Sequence, residues 1–169
     1  MKKLLSFFIL LMLVALISCR PKQKTAVVDK AAVEKEVTAV LDTLYSFFDT
    51  HDVELFTGVL DDDGLFLGTD RKEFWDKETT VQIHQEMFKD PEFKFTYTLT
   101  KRVVRVADNG KSALAIDQIE GTPVFGPDVP IRYTSHLVKK ENGWKIDFWE
   151  IGLIPDNEDL PKIATALAE

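Results

Sequence analysis

The spacing of apolar residues changes once along this chain, near residue 92, and that change restricts the fold more than any other feature. Before it, Val33, Val37, Val40, Leu41, Leu44, Tyr45 and Phe48 recur every three or four positions, which predicts a helix over 29–49 with one wide apolar face. Asp52 can cap a second, short helix running to Gly58, and Val59 to Leu67 has the apolar content of a first strand, with Asp61-Asp62-Asp63 as a turn inside or before it. Asp70 with Glu73 has the form of a capping box opening a single helical turn. Thr79 with Gln82 repeats the arrangement ahead of a helix over 80–89, whose expected inner face is Val81, Ile83, His84, Met87 and Phe88 and which Asp90-Pro91 ends.

Beyond that point apolar residues alternate. Four strands are expected, from Phe93 to Val106, Ser112 to Phe125, Pro130 to Lys140 and Trp144 to Ile154. Asp108-Asn109-Gly110 and Glu141-Asn142-Gly143 are hairpin turns, because Asn-Gly accepts the positive φ angles that tight turns require. Helices followed by consecutive hairpins argue for an α+β fold, a curved antiparallel sheet folded around N-terminal helices. The tail from Leu160 to Leu167 can form a terminal helix.

The first residues read differently. Met1-Lys2-Lys3, an apolar run from Leu4, and Leu16-Ile17-Ser18-Cys19 resemble a bacterial lipoprotein signal; the apolar stretch is shorter than the roughly 20 residues of a spanning helix. By that resemblance residues 1–18 are removed and Cys19 carries lipid, so the protein is exported to the cell envelope and anchored in a membrane through acylated Cys19. Residues 19–28 are then a basic tether, 29–155 the folded domain and 156–169 a tail. Cys19 is the only cysteine, which leaves the domain without a disulfide, a cysteine metal cluster or a thiol nucleophile. The net charge is -7, and loss of Lys2 and Lys3 makes it -9, which disfavours nucleic acid as a partner.

Two segments carry a family resemblance. Phe66-Leu67-Gly68-Thr69-Asp70 with Glu73 and Trp75, and Asn142-Gly143-Trp144-Lys145-Ile146 leading to Phe148, Trp149 and Glu150, are similar to the SnoaL-like branch of the nuclear transport factor 2-like superfamily. The order of elements over roughly 30–155 agrees. The resemblance implies a cone-shaped half-barrel that leaves a pocket, often in homodimers. Its members include isomerases, cyclases, dehydratases and domains with no known chemistry, so the fold does not choose the function.

Proton abstraction in such a pocket needs a base over the ligand and a donor for the developing oxyanion. Steroid isomerases of the superfamily place an aspartate just after the acidic turn, where this chain reads Gly64-Leu65-Phe66-Leu67-Gly68, a departure that counts against that activity. The candidate base is Glu150, which continues the alternation of Trp144, Ile146 and Phe148; a bulge before it would instead turn it to solvent. His136 and Tyr45 are the candidate donors. Tyr45 lies where the resemblance implies an oxyanion tyrosine, although its spacing from Leu41 and Phe48 equally makes it a core aromatic, and a lone strand histidine such as His136 is commonly a surface or satisfied core residue. Phe48, Trp75, His84, Phe88, Tyr133 and Phe148 are the expected pocket lining. Asp117 and Glu120 fall on opposite faces of one strand, and which of them looks inward is open. No two histidines have zinc-motif spacing, Asp61-Asp62-Asp63 lacks the alternation of a calcium loop, and neither a phosphate-binding glycine loop nor a nucleophile elbow is present. No metal or cofactor is expected. The leading expectation is a domain that binds a small, partly apolar molecule; the alternatives are an isomerase, cyclase or dehydratase using Glu150, and a non-catalytic dimerisation domain.

Overall fold

In the computed structural model the helical half of the chain packs inside the strand half. The structure describes residues 27–90, 93–122 and 129–168; the leader over 1–18, Cys19, most of the tether and the end of the strand expected to reach Phe125 lie outside them. Helices α1 (Lys30–Thr50) and α2 (Val53–Val59) lead into strand β1 (Leu60–Leu67), and a two-residue strand β2 (Phe74–Trp75) precedes helix α3 (Lys77–Met87). Strands β3 (Thr98–Val106), β4 (Ser112–Glu120), β5 (Ile131–Lys140) and β6 (Gly143–Leu153) follow, and helix α4 (Leu160–Ala166) ends the described chain with no buried residue. The sheet runs β2-β1-β6-β5-β4-β3, antiparallel except where β1 lies parallel to β6, and it curves without closing.

Capping fixes where the helices start. The Asp29 side chain accepts from Ala32 N at 3.1 Å at the head of α1, and Asp52 accepts from Glu54 N and Leu55 N at the head of α2. Helix α3 begins three residues before the expected start, because Asp76 and not Thr79 is its cap, accepting from Thr79 N at 2.8 Å. The Asp70–Glu73 box forms only in its reciprocal half: Glu73 Oε2 accepts from Asp70 N at 2.8 Å, but the segment is a turn and not a helical one.

Helix α1 presents a broader apolar arc than its three-four spacing suggests. Val37, Leu41, Leu44 and Phe48 are buried as expected, and Phe47 is buried completely, stacked on Phe56 of α2 at 4.3 Å and edge-on to Phe88 at 4.9 Å. One face of the helix therefore meets the sheet and the next meets α2 and α3. Each such large apolar side chain contributes about 1.5–3 kcal/mol by leaving water.

Two irregularities decide which residues face inward. Across β5 and β6, His136 pairs with Phe148 but Leu137 pairs with Ile146, so Asp147 is an extra residue and the alternation of β6 reverses there. Trp144 and Ile146 are buried before the bulge and Trp149 after it, which turns Phe148 and Glu150 to the outer face. The second lies in β1, whose register against β6 shifts between Leu60 and Leu65: Asp61 Oδ1 accepts from Asp63 N at 3.0 Å, and the acidic triplet is a kink within the strand.

Candidate functional site

Where α1, α3, β5, β6 and the loop before β2 come together they enclose a cavity of about 200 Å3. Its walls are mostly apolar, formed by Phe48, Trp75, Ile83, Phe95, Ile131 and Ile151. Three polar side chains of functional interest look into it: His84 from α3, Tyr133 from β5 and Glu73 from the loop.

His84 reaches the cavity because Asp76 sets the start of α3 and so the angle of its inner face. The hydroxyl of Thr80, one turn earlier, donates to Asp76 O at 2.7 Å, and His84 Nδ1 lies 2.8 Å from Thr80 O. A carbonyl only accepts, so Nδ1 carries the proton and Nε2 keeps its lone pair. The ring is buried among Phe56, Trp149, Phe47 and Phe48, with centroids 4.9–6.4 Å away. Burial lowers its pKa below the ordinary histidine value, and the bond to Thr80 only partly offsets this, so the imidazole is neutral at pH 7. Among the described residues the bond to Thr80 O is the only hydrogen bond of the ring.

Tyr133 is buried, and its phenol pKa is pushed far up by desolvation, which keeps the hydroxyl protonated and able to donate. Glu73 is positioned by its bond from Asp70 N and by Gly68. A Cβ at Gly68 would lie 2.1 Å from Glu73 Oε2 and 2.8 Å from Trp75 Cη2, so a larger residue here would displace the carboxylate or the indole rim from this wall.

Beside the cavity, Asp117 faces inward and is 2 % exposed, its two oxygens each 2.8 Å from the Arg102 guanidinium, which also donates to Asp42 at 2.6 Å. Glu120 faces out. Tyr45 packs between Tyr97 and Tyr133, and its phenol pKa is raised by burial and then by the Asp117 carboxylate, which makes it part of this structural network.

Of the expected base and its two alternative donors, Glu150 and His136 share the outer face of the sheet and Tyr45 lies inside. Glu150 is exposed on the outer face, because the Asp147 bulge reversed the alternation on which its inward reading depended. His136 is on that face too, 39 % exposed and bonded through Nδ1 to Asp147 at 2.7 Å, whereas Tyr45 is inside. Of the expected lining, Phe48, Trp75, His84 and Tyr133 border the cavity. Phe88 caps α3 against Phe47 and His51, and Phe148 shares the displaced side of the bulge. Glu73, Gly68 and Thr69, which also border it, were legible only as parts of the Phe66–Trp75 segment.

A broader cleft of about 830 Å3 lies at the other end of the molecule, between the β5–β6 turn and α2. Two of its lysines are held in ion pairs, Lys77 with Asp62 and Lys140 with Asp61, both at 2.7 Å, while Lys145 donates to Gly58 O. It is the more open of the two and is lined by internal salt bridges, and the half-enclosed, mostly apolar cavity is the better site. Among the described residues no cluster of His, Cys, Asp or Glu could hold a metal ion, and no helix is long and apolar enough to cross a membrane.

Similar folds occur among solved structures. A nuclear transport factor 2-like protein from Cytophaga hutchinsonii matches with a TM-score of 0.58 at 18% identity, over 72% of this chain and 98% of its own. A nuclear transport factor 2-like protein of unknown function from Pseudomonas putida matches with a TM-score of 0.64 at 15% identity, over 79% of this chain and 93% of its own. A hexachlorocyclohexane dehydrochlorinase from Novosphingobium barchaimii matches with a TM-score of 0.62 at 10% identity, over 75% and 90%. At these identities the likeness is one of fold. No curated protein matches the sequence. The sequence itself matches the SnoaL-like domain over residues 37–152, a span that takes in all but the last residue of the sheet and all the described residues that border the cavity, and the chain belongs to the SnoaL-like family.

Proposed function

We propose that this protein binds a small, partly apolar molecule in the cavity between α1, α3 and the sheet. The observation that carries the reading is a half-enclosed apolar space of about 200 Å3 bordered by an unpartnered acceptor, His84 Nε2, and a protonated donor, Tyr133. Ligand sites of this kind are apolar with a few convergent polar groups, and this one is smaller than the roughly 300–1,000 Å3 typical of drug-sized ligands. A crystal structure of protein purified and crystallised without added ligand is the test. Density for a small molecule between His84 and Tyr133 is expected, and a cavity closed by the side chains of Trp75 and Met87 would sink the proposal.

A catalytic reading rests on the same pair, with neutral His84 Nε2 as base and Tyr133 as donor to a developing oxyanion, the division of roles that isomerase or dehydratase chemistry requires. It replaces Glu150, which faces away.

We also propose that the domain is exported and held in the cell envelope by lipid on Cys19. Support comes from the residues around Cys19 and from the placement of the domain's entry point. Val28 packs where a Cβ on Gly110 would lie and Lys30 bonds Asp108 at 2.7 Å, so the chain enters beside the β3–β4 turn, about 27 Å along α1 from Phe48 at the cavity. An anchored domain would thus present its cavity away from the membrane. Cys19→Ser is expected to move the protein from the membrane to the soluble fraction; unchanged attachment would overturn the anchor.

A further inference from the structure

The cavity is unevenly charged. Among the described residues Glu73 is the one side chain with a full charge on its border, no Lys or Arg contributes to the lining, and His84 is neutral. Arg71 and Lys72, the nearest cations in sequence, are exposed. Four aromatic side chains border the same space: Phe48 and Phe95, stacked on each other at 4.2 Å, with Trp75 and Tyr133. Among the described residues no other aromatic ring pairs with Trp75, whose indole packs against the core, lies close to Gly68 and borders the cavity.

We propose that the ligand of this cavity is a small organic cation whose charge sits on an alkylated nitrogen. The inference rests on the binding reading above and specifies its ligand class. Aromatic faces carry negative potential and attract cations, most strongly when the site is shielded from water, and Trp is the strongest of the rings. A carboxylate beside the indole adds direct Coulomb attraction that the partly buried position screens less than solvent would. An anion would meet Glu73 and the aromatic rings with no cation among the described lining residues to compensate, which is a selective penalty as much as a lost attraction. A primary ammonium needs acceptors for three N–H groups, whereas methyl groups on nitrogen need only apolar and aromatic walls, which is what most of this lining supplies.

Three probes of one shape separate the possibilities: choline, its uncharged isostere 3,3-dimethylbutan-1-ol, and the anion 3,3-dimethylbutanoate, each titrated calorimetrically into the full-length chain. Choline is expected to bind about tenfold tighter than the alcohol, with the anion weakest. Glu73→Gln, which keeps an oxygen for the Asp70 N–H, is expected to bring the choline-to-alcohol ratio close to one, and Trp75→Leu to weaken choline most; thermal melts confirm that both variants fold. Alcohol binding equal to or tighter than choline overturns the cation proposal and leaves cavity binding standing. A ratio unmoved in folded Glu73→Gln also overturns it. If none of the three probes binds, the cation proposal falls, and density in the ligand-free crystal then decides separately whether the cavity binds anything.

Discussion

Burial and hydrogen bonding act on His84 in opposite directions, and burial prevails, so the folded protein holds this imidazole neutral. Unfolded, it titrates near its ordinary value of about 6.5. The lowered folded value means that the unfolded chain takes up the proton first, so His84's contribution is fully present above about pH 6.5 and is lost as pH falls toward the folded value. Lowering the pH from 7.5 to 5.5 is therefore expected to cost stability in urea denaturation, by at most about 1.4 kcal/mol, and His84→Phe to remove that loss. Carboxylates held low, such as Asp76 by the Thr79 N–H and Glu36 by Lys139 and Trp144, release stability only near and below their ordinary range, about pH 4.5, outside this window. An undiminished loss in His84→Phe would show that His84 is not the group responsible. At this scale the sequence placed His84 on the inner face of its helix, but its tautomer depends on Thr80 O, a backbone atom with no signature in the side-chain pattern.

The elements were legible because their signals are local. Helix α1, the two Asn-Gly hairpins and the antiparallel strands follow from spacing and turn chemistry within a dozen residues. What failed was strand parity. A period-two reading of β6 carries Trp144 and Ile146 forward to Phe148 and Glu150, whereas the one-residue bulge at Asp147 buries Trp149 instead. The physical reason is the partner strand. Trp149 reaches Phe66 at 4.5 Å and Tyr133 at 5.8 Å, and that burial outweighs a disrupted ladder bond, while Asp147 finds His136 on the outer face. Neither Phe66 nor Tyr133 is near Trp149 in sequence, so no window of β6 alone discloses the bulge. The same limit left Asp117 and Glu120 undecided until Arg102, on the neighbouring strand, paired with Asp117.

Across the molecule, α1 works as an axle. Its first turn meets the β3–β4 turn through Lys30 and Asp108, its middle is tied to β5 and β6 where Lys139 Nζ and Trp144 Nε1 both donate to Glu36 Oε2, and its last turns bring Phe48 to the cavity. The chain's entry point and the site thus lie at opposite ends of one rigid element. The cone and its family were foreshadowed by the order of elements and the Phe66–Trp75 segment, while the site was not, since its border draws on α1, the loop before β2, α3, β5 and β6. Binding of a small molecule in this space is tested by titration with phenol, whose hydroxyl suits His84 Nε2 and whose ring suits the walls. It would be followed by calorimetry in the wild type and in Ile83→Trp, which fills the cavity from α3. Saturable binding weakened about tenfold or more in a folded Ile83→Trp is the expected result; no binding, or binding that Ile83→Trp leaves unchanged, would contradict it.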